Sequence, residues 1–283
     1  MSKLKYLVIG IVVLGIVAVS VITIAGAVTK RNVEKEVEML LSKGEIHGEI
    51  IRKEEIEGLP QGVQRWLQYS GIIGQERIST LRSKQRGMMR LGEDQNWMPV
   101  EAEQYFTTEE PGFIWRAEVK AAPLVTIAAR DKYLEGKGNM LIKPLSLFKA
   151  ADATGKEIDQ GTMLRYLAEI VWFPSAALEN YIFWEEIDPN RARATMTNGD
   201  VEASGVFTFN EAGEMMEFEA ERYGEFDGEF RLETWSITAK EYKRFNGIGI
   251  PTKGSVTWRL QEGDFTWYHF EVLDIEFNIG TPY

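Results

Sequence analysis

The chain has 283 residues, 44% of them hydrophobic and 27% charged, a composition that belongs to a folded protein of one large or two modest domains. Its formal net charge of −11 opposes phosphate-backbone binding, which depends on clustered Lys and Arg, so no nucleic-acid partner is expected. Cysteine is absent, which excludes disulfides, thiolate metal sites, cysteine nucleophiles and a lipid-modified cysteine anchor, and leaves the redox compartment undetermined.

From Tyr6 to Val28 the sequence YLVIGIVVLGIVAVSVITIAGAV carries no charge, and it matches the roughly 20 residues that a spanning helix needs. Residues 1–28 are therefore expected to be a transmembrane anchor, with residues 6–28 contacting the membrane. The alternative is a cleaved signal peptide, for which Ala25, Gly26 and Ala27 offer a small-residue site, although the apolar run exceeds the roughly 7 to 15 residues of a signal core. Lys3 and Lys5 before the span nearly balance Lys30, Arg31 and Lys35 after it, so basic residues alone leave orientation open. A short basic N-terminus ahead of an apolar span resembles a signal anchor, which puts the rest of the single-pass chain outside the cytoplasm.

Residues 29–58 read as an amphipathic stalk and charged linker, with Val33, Val37, Leu40 and Leu41 on one helical stripe. In LPQGVQRWLQYSG, Pro60 suits a helix start, Val63, Trp66 and Leu67 share a face, and Gly71 suits a stop. No Pro/Gly/Ser-rich linker interrupts the chain afterwards, so residues 59–283 are expected to form one β-rich domain.

The period changes to two after Glu76. In WMPVEAEQYF, Val100, Ala102, Gln104 and Phe106 alternate with polar positions, and in PGFIWRAEV, Phe113, Trp115, Ala117 and Val119 share one face. Turn pairs at Asn198-Gly199, Ala212-Gly213, Asp227-Gly228, Asn246-Gly247 and Glu262-Gly263 separate later apolar runs, so hairpins and an antiparallel sheet follow. In EMMEFEAERY, Met216, Phe218 and Ala220 face one way and three glutamates the other, and the same period places Arg222 on the covered face.

Between the strands lies TMLRYLAEIVWFPSAAL. A helix over about residues 161–173 that is apolar nearly all round must be covered on most sides, and the concavity of the sheet is the surface available. Pro174 ends it or begins a second short helix. Arg165 and Glu169 are four apart in the less favourable order for an isolated helix, so their partners are expected elsewhere, with Glu169 facing Arg222 as the first pairing to examine. The expected fold is mainly β (α+β): a curved antiparallel sheet or unclosed half-barrel with internal helices, preceded by one N-terminal transmembrane helix.

The segments LPQGVQRWL, WMPVEAEQYF, PGFIWRAEV, GTMLRYLAEIVWFPSAAL, ERYGEF and GIGIPTKGSVTW resemble those of a bacterial family known only as a domain of unknown function. The likeness runs from about Leu59 to Phe277, and the motif around Arg165, Glu169 and Trp172 is its most specific part. It implies no activity and no catalytic residues. More loosely, a long antiparallel sheet curled around internal helices is similar to the half-barrels of LolA-type lipoprotein carriers, an architectural analogy that does not fix function.

Catalytic patterns are absent from the sequence. The two histidines, His47 and His269, cannot make a three-histidine metal site, and neither a Gly-x-Ser-x-Gly elbow nor a P-loop occurs. No catalytic residue, cofactor or metal is expected. The final strand places Trp267, His269, Glu271 and Leu273 on one face by period two, where a hydrogen-bonding role for His269 outweighs acid–base work. Tryptophans at inward positions either fill a core or line a cavity. The candidate ligand-binding set is Arg165, Glu169, Trp172, Arg222, Trp115, Trp97, Trp267 and His269. Two functions lead: a membrane-tethered binder of a lipid or other hydrophobic small molecule, and a non-enzymatic envelope scaffold with a filled core and a protein partner of unknown kind; an enzyme ranks third.

Overall fold

The structure, a computed structural model, describes residues 2–283. It begins with one uninterrupted helix, α1 (Ser2–Leu41), about 60 Å long at 1.5 Å per residue. The apolar run and the amphipathic stripe are thus one rod, because no proline separates them. Its apolar stretch has a mean hydropathy of 3.0 and lies with its side chains uncovered. A one-turn 3₁₀ helix (Lys53–Ile56) and α2 (Gln61–Ser70) follow. Gly71 ends α2 with φ at 75°, in the left-handed region that glycine enters without a Cβ clash.

Thirteen strands among the described residues form a single antiparallel sheet. In chain order they are β1 (Thr80–Met89), β2 (Met98–Thr107), β3 (Gly112–Ala122), β4 (Val125–Leu134), β5 (Lys137–Pro144) and β6 (Ala151–Ala153). After the helical insertion come β7 (Ile182–Asp188), β8 (Arg191–Asn198), β9 (Val201–Phe209), β10 (Met215–Phe226), β11 (Glu229–Phe245), β12 (Ile248–Leu260) and β13 (Gly263–Phe277). Their spatial order is β6-β5-β4-β3-β2-β1-β13-β12-β11-β10-β9-β8-β7. The chain's first and last strands therefore pair at the centre, and the helical insertion leaves from one sheet edge and returns at the other. β6 and β7 do not pair, so the sheet is the unclosed curve that the hairpins imply.

That insertion is α3 (Lys156–Glu169) with two 3₁₀ turns, Ile170–Trp172 and Pro174–Leu178. α3 begins before the expected position because its first turn is polar and partly exposed, which apolar periodicity does not register. It packs on β4 and β5 at one end of the sheet and on β8, β9 and β10 at the other. The fit on β5 is tight: a Cβ at Gly138 would lie 2.6 Å from the carbonyl oxygen of Ile158 and 2.4 Å from the Thr162 hydroxyl. Gly138→Ala is expected to cost about 1 to 3 kcal/mol through overpacking, read as a fall in the urea midpoint; an unchanged midpoint would mean that α3 does not sit this close.

In an antiparallel sheet of this order, consecutive connections alternate between two rims. The rim carrying the β2–β3, β4–β5, β7–β8, β9–β10 and β11–β12 connections is plugged by α2 and the 3₁₀ turns. Trp66 there stacks on Phe207 and Phe209 at 6.3 and 5.8 Å, and Phe173 meets Phe106 at 4.7 Å. The C-terminal part of α1 covers the outer face of β2–β4. Its Val33, Val37, Leu40 and Leu41 cluster with Tyr105 and Ile114, so β2 and β3 are buried on both faces.

A β-bulge between Met215 and Glu217 changes one assignment: Met215 is buried and Met216 is exposed. The extra residue resets the alternation, and Phe218 and Ala220 keep the inner face that period two assigns them.

Candidate functional site

Between α3 and the inner face of the sheet lies a cavity of about 170 Å³. Its walls are predominantly apolar and include Met89, Trp115, Ile142, Val171, Trp172, Met215, Trp235, Ile237, Pro251, Trp267 and Phe270. The polar residues of the wall are Gln85, Asp131, Arg165, Glu169, Arg222 and Tyr268. Six of the eight sequence candidates meet here: Arg165, Glu169, Trp172, Arg222, Trp115 and Trp267.

The Arg165 guanidinium is the centre of a buried network. Its Nη1 donates to Asp131 Oδ2 at 2.6 Å and its Nε to Glu169 Oε1 at 3.0 Å. Gln104 donates to Glu169 Oε2 at 2.7 Å, and Gln85 donates to Gln104 Oε1 at 2.9 Å and to Ser83 at 3.1 Å. Arg165 also lies 5.1 and 5.0 Å from the rings of Phe113 and Trp115, within reach of their negative π faces. The expectation that Arg165 and Glu169 find partners elsewhere is corrected: they pair with each other, and Glu169 does not pair with Arg222. Sequence order weighs a few tenths of a kcal/mol on an exposed helix, whereas a desolvated cation needs its nearest carboxylates.

Burial works to lower the Arg165 pKa, and Glu169 and Asp131 outweigh it, so the guanidinium is held more firmly charged than usual. Burial pushes the Glu169 carboxyl up, and Arg165 and Gln104 reverse this only in part. A carboxyl raised on folding binds its proton more tightly in the folded state. Its stabilising contribution is full below the ordinary glutamate value and is lost as pH rises through the raised folded value. Glu169→Gln, neutral at every pH, is expected to flatten the dependence of the urea midpoint on pH in that window, and an unaltered slope would refute the assignment.

Arg222 differs from Arg165. Its Nε donates to the carbonyl of Gly161 at 3.2 Å, and its guanidinium lies 4.8 and 5.7 Å from the rings of Trp235 and Trp258. Among the described residues no carboxylate lies within 4.0 Å of it. Burial, then repulsion from Arg165, pulls its pKa down to about 10, so it is charged at neutral pH. Four further lining residues bring buried polar atoms without a protein partner: the indole nitrogens of Trp115, Trp235 and Trp267 and the hydroxyl of Tyr268. Such groups are few in folded proteins, and each of these four atoms is covered by its neighbours.

Trp97 and His269 lie outside the cavity. They stack on each other at 4.6 Å on the outer face of the sheet, under the Arg90 guanidinium at 4.9 Å from the indole. His269 is exposed and contacts Ser255 Oγ at 3.0 Å through Nδ1. Burial, then Arg90 and Lys240, lowers its pKa, while Glu271 pairs with Arg86. Trp267 parts from His269 because β13 is irregular between its pairings to Val256 and Thr257, which turns Trp267 towards the interior beside Tyr268. The sequence does not single out Asp131, Gln85 or Tyr268, while Trp235 is one of the tryptophans that its aromatic pattern offers as core or cavity lining. Gln104 carried a usable signal, a polar side chain at an inward position between Ala102 and Phe106. Among the described residues no group of three or more His, Asp or Glu side chains could hold a metal.

The profile of a family described as a family of unknown function, DUF6544, matches residues 49–270. None of the curated proteins matches the chain. Among solved structures, a LolA superfamily protein from Nitrosomonas europaea is similar at 10% identity and a TM-score of 0.44, over 78% of this chain and 94% of that one. A DUF1329 family protein from Desulfovibrio piger is similar at 10% identity and a TM-score of 0.44, over 78% and 93%. A putative outer membrane lipoprotein-sorting protein domain from Vibrio parahaemolyticus is similar at 11% identity and a TM-score of 0.36, over 72% and 87%.

Proposed function

We propose that this chain, which belongs to the DUF6544 family of unknown function, is a membrane-tethered binder of a small anionic amphiphile. The observation that carries this reading is Arg222, a cation without a carboxylate partner among the described residues, in the wall of an apolar cavity. A half-buried cation in an apolar wall gains from a partner, and a ligand carboxylate or phosphate supplies one. Glu169 and Asp131 are already committed to Arg165, which stabilises the wall and does not compete for the ligand's charge.

The volume limits the ligand. Pockets for drug-sized molecules start at about 300 Å³, and an engineered apolar cavity of about 150 Å³ takes one benzene. At about 170 Å³ the interior suits a tail of roughly six carbons, not a whole phospholipid. The apolar run of α1 tethers the domain, which lies outside the cytoplasm; protease added to spheroplasts digests it in this arrangement, and protection until lysis would overturn the orientation.

The test is calorimetric titration with hexanoate, hexyl phosphate and hexanol. The two anions are expected to bind more tightly than the alcohol, and Arg222→Met is expected to weaken them about 10- to 100-fold, as fits loss of a charged hydrogen bond, while leaving hexanol unaffected. Equal affinity for hexanol and the anions sinks the head-group assignment. Absence of saturable binding by all three, with folded protein that native mass spectrometry shows free of lipid, leaves the scaffold reading.

A further inference from the structure

α1 runs along the outer face of the sheet from rim to rim. Its C-terminal end lies at the plugged rim, where Lys43 pairs with Glu110 and Glu135 on the β2–β3 and β4–β5 connections. At the opposite rim, Lys143 of β5 donates to Thr29 Oγ1 at 2.9 Å, and Ser146 in the β5–β6 connection lies against Gly26. Thr29 directly follows the uncharged run that ends at Val28. Everything N-terminal of this point projects beyond that rim.

On the same rim, beside α1, the tips are apolar and uncovered. Leu124, in the two-residue β3–β4 turn, is 97% exposed, and Phe148, in the β5–β6 connection, is 67% exposed. Leu124 also holds φ at 65°, the turn position that glycine or asparagine ordinarily takes. A fully exposed leucine in a left-handed conformation is unfavourable in water on both counts. Ala128 pairs with Lys143, so Leu124 lies four residues farther out, at most about 13 Å beyond the Lys143–Thr29 contact. The nearby lysines are already engaged, Lys120 with Glu101, Lys149 with Asp152 and Lys143 with Thr29, so the tips offer the bilayer apolar side chains and not free cations.

We infer that the β3–β4 and β5–β6 tips insert Leu124 and Phe148 into the headgroup region of the bilayer that α1 crosses. This rests on the anchor reading above. The occupant is lipid because the apolar run of α1 leaves the domain at this rim, with Gly26 against Ser146 of the β5–β6 connection and Thr29 bonded to Lys143, so a membrane crossed by that run meets this rim. The cavity wall reaches the same rim through Met89, the last residue of β1, and Ile142, two residues from the end of β5. An amphiphile would then pass from the leaflet into the cavity without crossing open water.

The chain lacks cysteine, so single-cysteine probes report cleanly. Full-length Leu124→Cys, Phe148→Cys and, on the plugged rim, Glu211→Cys are labelled with an environment-sensitive fluorophore in vesicles of phosphatidylcholine and phosphatidylglycerol. The expected result is blue-shifted emission, quenched by brominated lipids, at positions 124 and 148 and water-like emission at 211. Unfolding midpoints within a few degrees of the unlabelled chain establish that each probe reports on folded protein. Water-like emission at 124 and 148, from chain that resists alkaline extraction, overturns the seated rim and leaves the anchor standing. Chain that washes out overturns both, and quenching at 211 as strong as at 124 overturns the orientation of the domain.

Discussion

Arg165→Met is expected to destabilise the domain by about 3 to 5 kcal/mol, the cost of leaving buried charge uncompensated. The substitution keeps most of the side chain's apolar volume but strands two carboxylates, Asp131 at 2.6 Å and Glu169 at 3.0 Å. At roughly 2 to 4 °C per kcal/mol for a domain of this size, calorimetry should record a fall of roughly 6 to 20 °C. Adding Asp131→Asn and Glu169→Gln is expected to recover part of the loss, because neutral amides cost less to bury than unpaired carboxylates. A midpoint that does not move in the single variant would mean that the network is solvated. No comparable loss is expected from Arg222→Met, since no carboxylate depends on Arg222; the contrast separates the structural arginine from the proposed ligand-binding one.

The affinity for linear carboxylates is expected to climb roughly fourfold per methylene, from about 0.8 kcal/mol of apolar burial per group. It should level off at roughly six carbons, when a cavity of about 170 Å³ is full. Hexanoate should therefore bind roughly 250-fold more tightly than acetate, while dodecanoate should gain little over hexanoate. Titration of the even-numbered series decides this. A flat series removes the cavity from the interaction, and a rise that continues through sixteen carbons would require a larger interior than α3 leaves.

Local pattern carried much of this molecule. An uncharged run of the right length, an alternation of inward residues, turn pairs between apolar segments and a helix apolar on nearly every side are each readable from neighbours in the chain. They led to the long helix, the antiparallel sheet and the internal α3. Phe113, Trp115, Ala117 and Val119 face inward as their parity requires, and so does Arg222.

The parity of a strand survives only until a bulge. One bulge turns Met216 outward, and an irregularity in β13 sends Trp267 inward and leaves His269 outside with Trp97. Bulges answer to the curvature of the whole sheet, which no single strand encodes. Distance in the chain also conceals partners. Asp131 lies 34 residues from Arg165 and Gln104 lies 65 from Glu169, and only the curl of the sheet around α3 brings them within hydrogen-bonding range.

By itself, then, the sequence determined which segments are helix and strand and which side chains are apolar enough to need cover, because these follow from backbone sterics and from transfer out of water. Tertiary structure alone decided which cation meets a second carboxylate and which meets none among the described residues. Both arginines are cations at inward positions, and the one local difference between them is Glu169, four residues after Arg165 on the same helix. Closing the sheet around α3 draws both out of water, but it adds Asp131 of β4 to the Glu169 that Arg165 already has on its own helix, and it brings Arg222 only a carbonyl and two indole rings.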